Sequence, residues 1–143
     1  MRITDVLRHK GDKVVTIGPD EPVRHLLDLL AEHRVGALIV AGSPGAVDGI
    51  VSERDVVRWL QREGEAILDG PVSRIMTAEV HTAGPHDTVD DLMLQMTDNR
   101  VRHLPVMDDE GLMVGIVSIG DLVNQCIAEL RIERDQLTAY ITG

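Results

Sequence analysis

Residues 16–57 lie over residues 82–123 at a constant offset of 66 without a gap, and 16 of the 42 positions are identical. The matches include Gly18-Pro19 with Gly84-Pro85, Arg34-Val35 with Arg100-Val101, and the phrase GIVS at 49–52 and 115–118. A gapless offset requires every helix, strand and turn to have the same length in both copies. The chain is therefore one unit written twice. Two copies are fewer than the three or so that an open solenoid needs, so they are expected to close against each other into one body. A chain of about this length buries roughly 70 % of its unfolded surface, enough for a packed core.

Each copy carries the same periodicities. Val23, Leu26, Leu27 and Leu30, and in the second copy Val89, Leu92, Met93 and Met96, follow the i, i+3, i+4, i+7 stripe of an amphipathic helix. Asp20 and Glu21 precede Pro22 in the first copy, and Asp87 is the expected N-cap in the second. A strand follows at 37–41 or 104–107, then a turn, SPGAVD or DDEG, then a second strand ending in GIVS. A second helix runs from Asp55 through Leu60, or from Asp121 through about Leu130. With short extended pieces at 14–16 and 80–82, each copy reads β-α-β-β-α, an α/β (α+β) class. Ile3 to Leu7 and Val72 to Met76 read as short helical lead-ins to the copies. The expected units are 8–65 and 75–132, with 133–143 as a helical extension whose apolar stripe (Leu122, Val123, Cys126, Ile127, Leu130) becomes irregular beyond Ile132. That tail could serve a dimer contact.

Composition removes several classes of function. Fourteen Lys and Arg against 24 Asp and Glu give a formal charge of −10, which repels a nucleic-acid backbone. One Trp, one Tyr and no Phe leave no base-stacking platform. The single Cys126 can form neither an internal disulfide nor a thiolate cluster. No segment approaches the ~20 apolar residues of a membrane span, and the amino terminus lacks a signal-peptide stretch. A cytoplasmic setting is expected. The histidines at 9, 25, 33, 81, 86 and 103 show no metal-binding spacing, and no Walker, GxGxxG or GxSxG motif occurs. No acid–base pair stands out, so the chain is not expected to be an enzyme.

Two tandem copies of β-α-β-β-α, each ending in Gly-hydrophobic-hydrophobic-Ser-x-x-Asp, resemble a pair of CBS domains, the Bateman module. The run RVRHLPVMDDEGLMVGIVSIGDLV at 100–123 carries most of the resemblance. The first copy departs from it, with Gly36-Ala37-Leu38-Ile39-Val40 standing where the second has Arg102-His103-Leu104-Pro105-Val106. The resemblance implies a pseudo-twofold pair with two clefts between copies that hold adenosine ligands: AMP, ADP, ATP, S-adenosylmethionine or a dinucleotide such as NAD(H). It also implies a homodimer and a stand-alone regulatory sensor that acts on a separate protein, while the histidine spacing predicts no metal.

Candidate site residues follow from that setting. Ser52 and Asp55, with Ser118 and Asp121, stand where a strand meets a helix. Their plain role is capping, contributing roughly 1 kcal/mol each. A carboxylate and a hydroxyl three apart can also converge on the vicinal hydroxyls of a ribose. Arg54, Arg102 and His103 are the phosphate candidates, and Gly120, the counterpart of Arg54, would leave room for ligand. Arg34 and Arg100 read as solvated helix ends. Thr16, Ile17, Gly36, Ala37, Thr82, Ala83 and Pro105 are candidate walls for the adenine, with core packing as their alternative role. Two other functions stay open at this stage: an enzyme acting on an adenine nucleotide in the same cleft, and a structural dimer module without ligand.

Overall fold

The structure, a computed structural model, describes residues 2–10 and 14–142, with the side chains of residues 9 and 10 outside that description. Residues 11–13 of the first expected unit and Gly143 of the expected extension lie outside it. In chain order the elements are α1 (Ile3–Lys10), β1 (Thr16–Ile17), α2 (Val23–His33), β2 (Ala37–Val40), β3 (Gly49–Ser52) and α3 (Glu53–Glu63), then α4 (Val89–Asn99), β4 (His103–Met107), β5 (Met113–Ser118) and α5 (Ile119–Thr142). Two short 3-10 turns, Gly64–Asp69 and Val72–Arg74, join the copies.

In the first copy β1 pairs parallel with β2, and β2 pairs antiparallel with β3. The second copy keeps the β4–β5 hairpin but reduces the expected strand at 80–82 to a single bridge, Ala83 to Val106. The cause is one residue. Copy one forms the rungs Thr16–Ile39 and Ile17–Val40, whose counterparts are Thr82–Pro105 and Ala83–Val106. Pro105 has no N–H to donate to the first of these. The other bonds persist, with Ala83 N–H donating to Pro105 O (2.9 Å) and Met107 N–H to Ala83 O (2.8 Å).

The helices sharpen several expectations. The stripe on α2 buries Val23, Leu26 and Leu30 but leaves Leu27 at the margin, 38 % exposed. Asp87 is not the cap of α4; Thr88 is, its hydroxyl accepting from Asp91 N–H at 3.2 Å, while Asp87 closes a turn by accepting from Gly84 N–H at 2.8 Å. Arg34 and Arg100 do not continue their helices. Both adopt the left-handed conformation (φ 54°), and Val35 and Val101 N–H reach back to Leu30 and Met96 carbonyls, a Schellman closure that usually recruits Gly. The last helix runs unbroken from Ile119 to Thr142, 24 residues.

Each lead-in serves the other copy. Ile3, Val6 and Leu7 of α1 pack with Ala83, Val89, Leu92, Met96, Leu104 and Val117, whereas Val72, Ile75 and Met76 pack with Ile17, Val23, Leu26, Leu38 and Val51. Backbone bonds fix the exchange: Ile3 N–H donates to Asp87 O (2.9 Å), Val72 N–H to Glu21 O (2.8 Å), and Ile50 and Thr77 bond reciprocally at 2.9 and 2.8 Å. The crossing points explain why GIVS begins with Gly in both copies. A Cβ on Gly49 would lie 2.6 Å from Met76 Sδ and 2.8 Å from Thr77 O, and one on Gly115 would lie 2.7 Å from Leu7 Cδ2.

Overpacking of this kind costs about 1–3 kcal/mol. Gly49→Ala meets a backbone carbonyl and is expected at the upper end of that range, whereas Gly115→Ala meets the tip of a leucine and is expected to cost less. Urea unfolding midpoints of the two variants check the order.

Candidate functional site

A cleft of about 240 Å³ opens between the copies. It approaches the size of small-ligand clefts, about 300–1,000 Å³, and is far too small for a polymer. Its first wall is the edge where β2 begins and β3 ends. Ala37 pairs with Ser52, and Glu53 N–H donates to Gly36 O at 3.0 Å, so the sheet ladder runs directly into α3. Gly36, Ala37, Ile50, Ser52, Arg54 and Asp55 reach the cleft from this side, with Arg58 one turn further along α3. The connector from Thr77 to His81 crosses the cleft, held by the Ile50–Thr77 bridge. Arg100, Val101, Arg102 and His103 close it from the second copy.

The Ser-x-x-Asp pair forms a complete capping box. Ser52 Oγ accepts from Asp55 N–H at 3.3 Å, and Asp55 Oδ2 accepts from Ser52 N–H at 2.8 Å and from the Ser52 hydroxyl at 3.1 Å. Oδ2 and the hydroxyl are thus occupied by the helix start. Asp55 Oδ1 makes no hydrogen bond among the described residues. The cap therefore uses one oxygen of the carboxylate and leaves the other without a hydrogen bond among the described residues. Ser118 and Asp121 repeat the box, with Ser118 N–H on Asp121 Oδ2 at 2.8 Å and Asp121 N–H on Ser118 Oγ at 3.2 Å, but they lie outside this cleft.

Charge is the second feature. Arg54, Arg58, Arg100 and Arg102 face Glu53, Asp55 and Glu79, giving a local excess of cations in a chain of formal charge −10. Among the described residues none of these four arginines makes a side-chain ion pair or hydrogen bond, whereas Arg24, Arg74 and Arg134 are paired with Asp69, Glu63 and Asp135. An adjoining open groove shares Arg54, Arg100, Val101 and Arg102 with the cleft and adds Met96, Thr97 and Ile119. No group of three metal-ligating side chains is present among the described residues.

Of the residues singled out from the sequence, Gly36, Ala37, Ser52, Arg54, Asp55, Arg102 and His103 line this cleft. Thr16, Ile17, Thr82, Ala83, Pro105, Ser118, Gly120 and Asp121 do not. Ile17 and Ala83 are 3 % exposed and pack in the two cores, and Pro105 is buried in β4. Arg58 and Glu79, which also line the cleft, carry no motif. Arg100 was readable as a helix end but not as a cleft residue, and its backbone does not decide the matter, because Arg34 has the same left-handed conformation and does not line the cleft.

Comparison with known proteins agrees with the architecture. A family model for the CBS domain matches residues 3–62 and 72–127. A mitochondrial CBS domain-containing protein of Arabidopsis thaliana is 39 % identical over 149 residues, which cover 99 % of this chain and 72 % of that one. A crystal structure of a CBS-domain containing protein from Agrobacterium tumefaciens superposes with a TM-score of 0.83 at 40 % identity, covering 87 % of this chain and 98 % of the other. A CBS domain protein from Pyrobaculum aerophilum complexed with AMP superposes with a TM-score of 0.73 at 28 % identity, covering 85 % and 89 %.

The two halves of the site separate in stability. Ser52→Ala removes the capping hydroxyl and is expected to cost about 1 kcal/mol. Arg54→Ala and Arg58→Ala remove exposed, unpaired side chains and are expected to stay within about 0.5 kcal/mol of the parent. Chemical denaturation without ligand measures all three.

Proposed function

The chain belongs to the CBS domain family, and from that premise we propose that it is a regulatory module binding an adenosine nucleotide in the cleft between its two copies. The observation that carries the reading is that one cleft is lined by four arginines without a side-chain partner among the described residues and by a capping aspartate whose second carboxylate oxygen makes no hydrogen bond among them. Asp55 Oδ1 accepts from a ribose hydroxyl, a charge-assisted bond of about 1.5–3 kcal/mol. Arg54 and Arg102 neutralise phosphate, and Ala37, Ile50, Val80 and Val101 provide apolar walls for the base. The AMP complex of the Pyrobaculum aerophilum relative supports the ligand class. Binding bridges the copies, and it changes output only through a difference in affinity between two arrangements of the protein. The chain is a sensor rather than an enzyme, it acts in the cytoplasm, and its partners are the nucleotide, a second copy and a regulated protein.

Asymmetry between the copies belongs to the same reading. At the offset of 66, Arg54 corresponds to Gly120 and Arg58 to Asn124. The Ser118–Asp121 grip therefore lacks two of the cations that accompany Ser52–Asp55, and a phosphate-bearing ligand prefers the latter.

Thermal shift with AMP, ADP, ATP, NAD(H) and S-adenosylmethionine tests the class, because a ligand at 100 times its dissociation constant stabilises the fold by about 2.7 kcal/mol. No shift with any of them, or turnover of ATP or NADH on prolonged incubation, overturns the reading. Calorimetry then places the ligand. Asp55→Ala is expected to weaken AMP and adenosine alike and Asp121→Ala to have the smaller effect, whereas Arg102→Ala is expected to weaken AMP more than adenosine. Unchanged AMP affinity in both aspartate variants removes the ribose assignment.

A further inference from the structure

The cleft and the groove beside it differ in charge. Both open onto Arg54, Arg100 and Arg102. In the cleft, which also holds Arg58, the cations stand with three carboxylates, Glu53, Asp55 and Glu79. In the groove the three arginines stand with Met96, Thr97, Val101 and Ile119 and with no carboxylate. The outer space is thus the more cationic of the two. Its volume is about 470 Å³ against about 240 Å³ for the cleft, which alone falls short of the roughly 300–1,000 Å³ ordinary for small-ligand sites. The cation excess is not imposed by the fold. At the offset of 66, Arg54, Arg102 and Ile119 correspond to Gly120, Gly36 and Glu53, so the counterpart set keeps one arginine, Arg34, and gains a carboxylate. Three guanidinium groups around one open space repel one another, and an anion lying among them offsets that repulsion.

We propose that this groove holds the phosphate chain of the nucleotide beyond its first phosphate, so that the site selects a nucleoside triphosphate over a monophosphate. The placement rests on the nucleotide reading of the cleft. The uncharged nucleoside end lies among the carboxylates, where Asp55 receives the ribose, and the first phosphate lies at the rim that the two spaces share, with Arg54 and Arg102. The second and third phosphates then enter the groove, where Arg100 meets them with no acidic side chain opposing. A monophosphate ends at the rim and leaves the cations of the groove uncompensated. A dinucleotide would set its second ribose in the groove, where no carboxylate is present to grip the vicinal hydroxyls.

Calorimetry of the full chain with adenosine, AMP, ADP, ATP and NADH in EDTA tests it. ATP is expected to bind about tenfold or more tighter than AMP, with ADP between them. Thr97, exposed on the last turn of α4, lines the groove and not the cleft. Thr97→Asp is therefore expected to remove most of the advantage of ATP while changing AMP affinity less than about twofold. Arg100→Gly suits the left-handed backbone (φ 54°) and is expected to weaken ATP about tenfold. Arg34→Gly changes the same residue type at the same φ outside both spaces, and is expected to leave ATP affinity unchanged. Thermal midpoints of the two glycine variants at or above that of the parent exclude a loss of fold as the cause. AMP binding as tightly as ATP, or equal losses for both in Thr97→Asp, overturns the groove assignment and leaves the nucleotide reading standing, whereas no binding of any of the five overturns both. NADH binding tighter than ATP and indifferent to Thr97→Asp overturns the triphosphate tail.

Discussion

The exchange of lead-ins between copies is the constraint on which the rest of the structure rests. Neither core is completed by its own copy: α1 fills the second, and Val72 to Met76 fill the first. Separating the copies would uncover Ile3, Val6, Val72 and Ile75, each at most 4 % exposed now, at about 1.5–3 kcal/mol for each large apolar side chain. The two copies therefore fold as one cooperative body. The same exchange builds the cleft, because the chain entering the second copy must pass β3 at Thr77 and then runs along the edge where Ser52 and Asp55 stand. The small residue at each crossing is required by that path, and the repeated Gly of GIVS is its trace in the sequence.

Much of this was legible beforehand, for reasons that differ by element. The gapless repeat, the helical stripes and the β2–β3 and β4–β5 hairpins follow from periodicity, and the Ser-x-x-Asp box is a local motif whose geometry depends on three residues. The exchange was not legible: a repeat at a fixed offset shows that two lead-ins are equivalent but not which core each enters. The loss of the first strand in copy two turned on Pro105, whose missing N–H matters only once the register is known. Arg100 illustrates the same limit at the site, since Arg34 and Arg100 end their helices with the same left-handed backbone and only Arg100 lines the cleft.

Electrostatics at the cleft is decided locally. The formal charge of −10 disfavours anions at long range, but screening at about 8 Å confines each exposed charge to its neighbourhood. A charge pair at 4 Å near a protein surface is worth about 4 kcal/mol before desolvation. Four arginines that lack carboxylate partners thus outweigh a distributed negative field for a small phosphate held among them, while a long polyanion would meet the acidic surface on every side. On the proposed function, the arrangement selects for ligand size as well as charge.

Duplication usually suggests two equal sites, and here the capping geometry agrees: corresponding hydrogen bonds of the two boxes match within 0.1 Å, at 2.8 and 2.8 Å for one pair and 3.3 and 3.2 Å for the other. That sameness follows from what a helix start demands. A cap must satisfy backbone N–H groups whether or not a ligand binds, so Ser52–Asp55 and Ser118–Asp121 are held to one geometry by folding. The arginines answer to no such demand, since the described structure gives them no partner. Arg54 and Arg58 could therefore become Gly120 and Asn124 in the other copy without disturbing the box beneath them. Residues shared with folding stay symmetric, and those free of it carry the difference between the two copies.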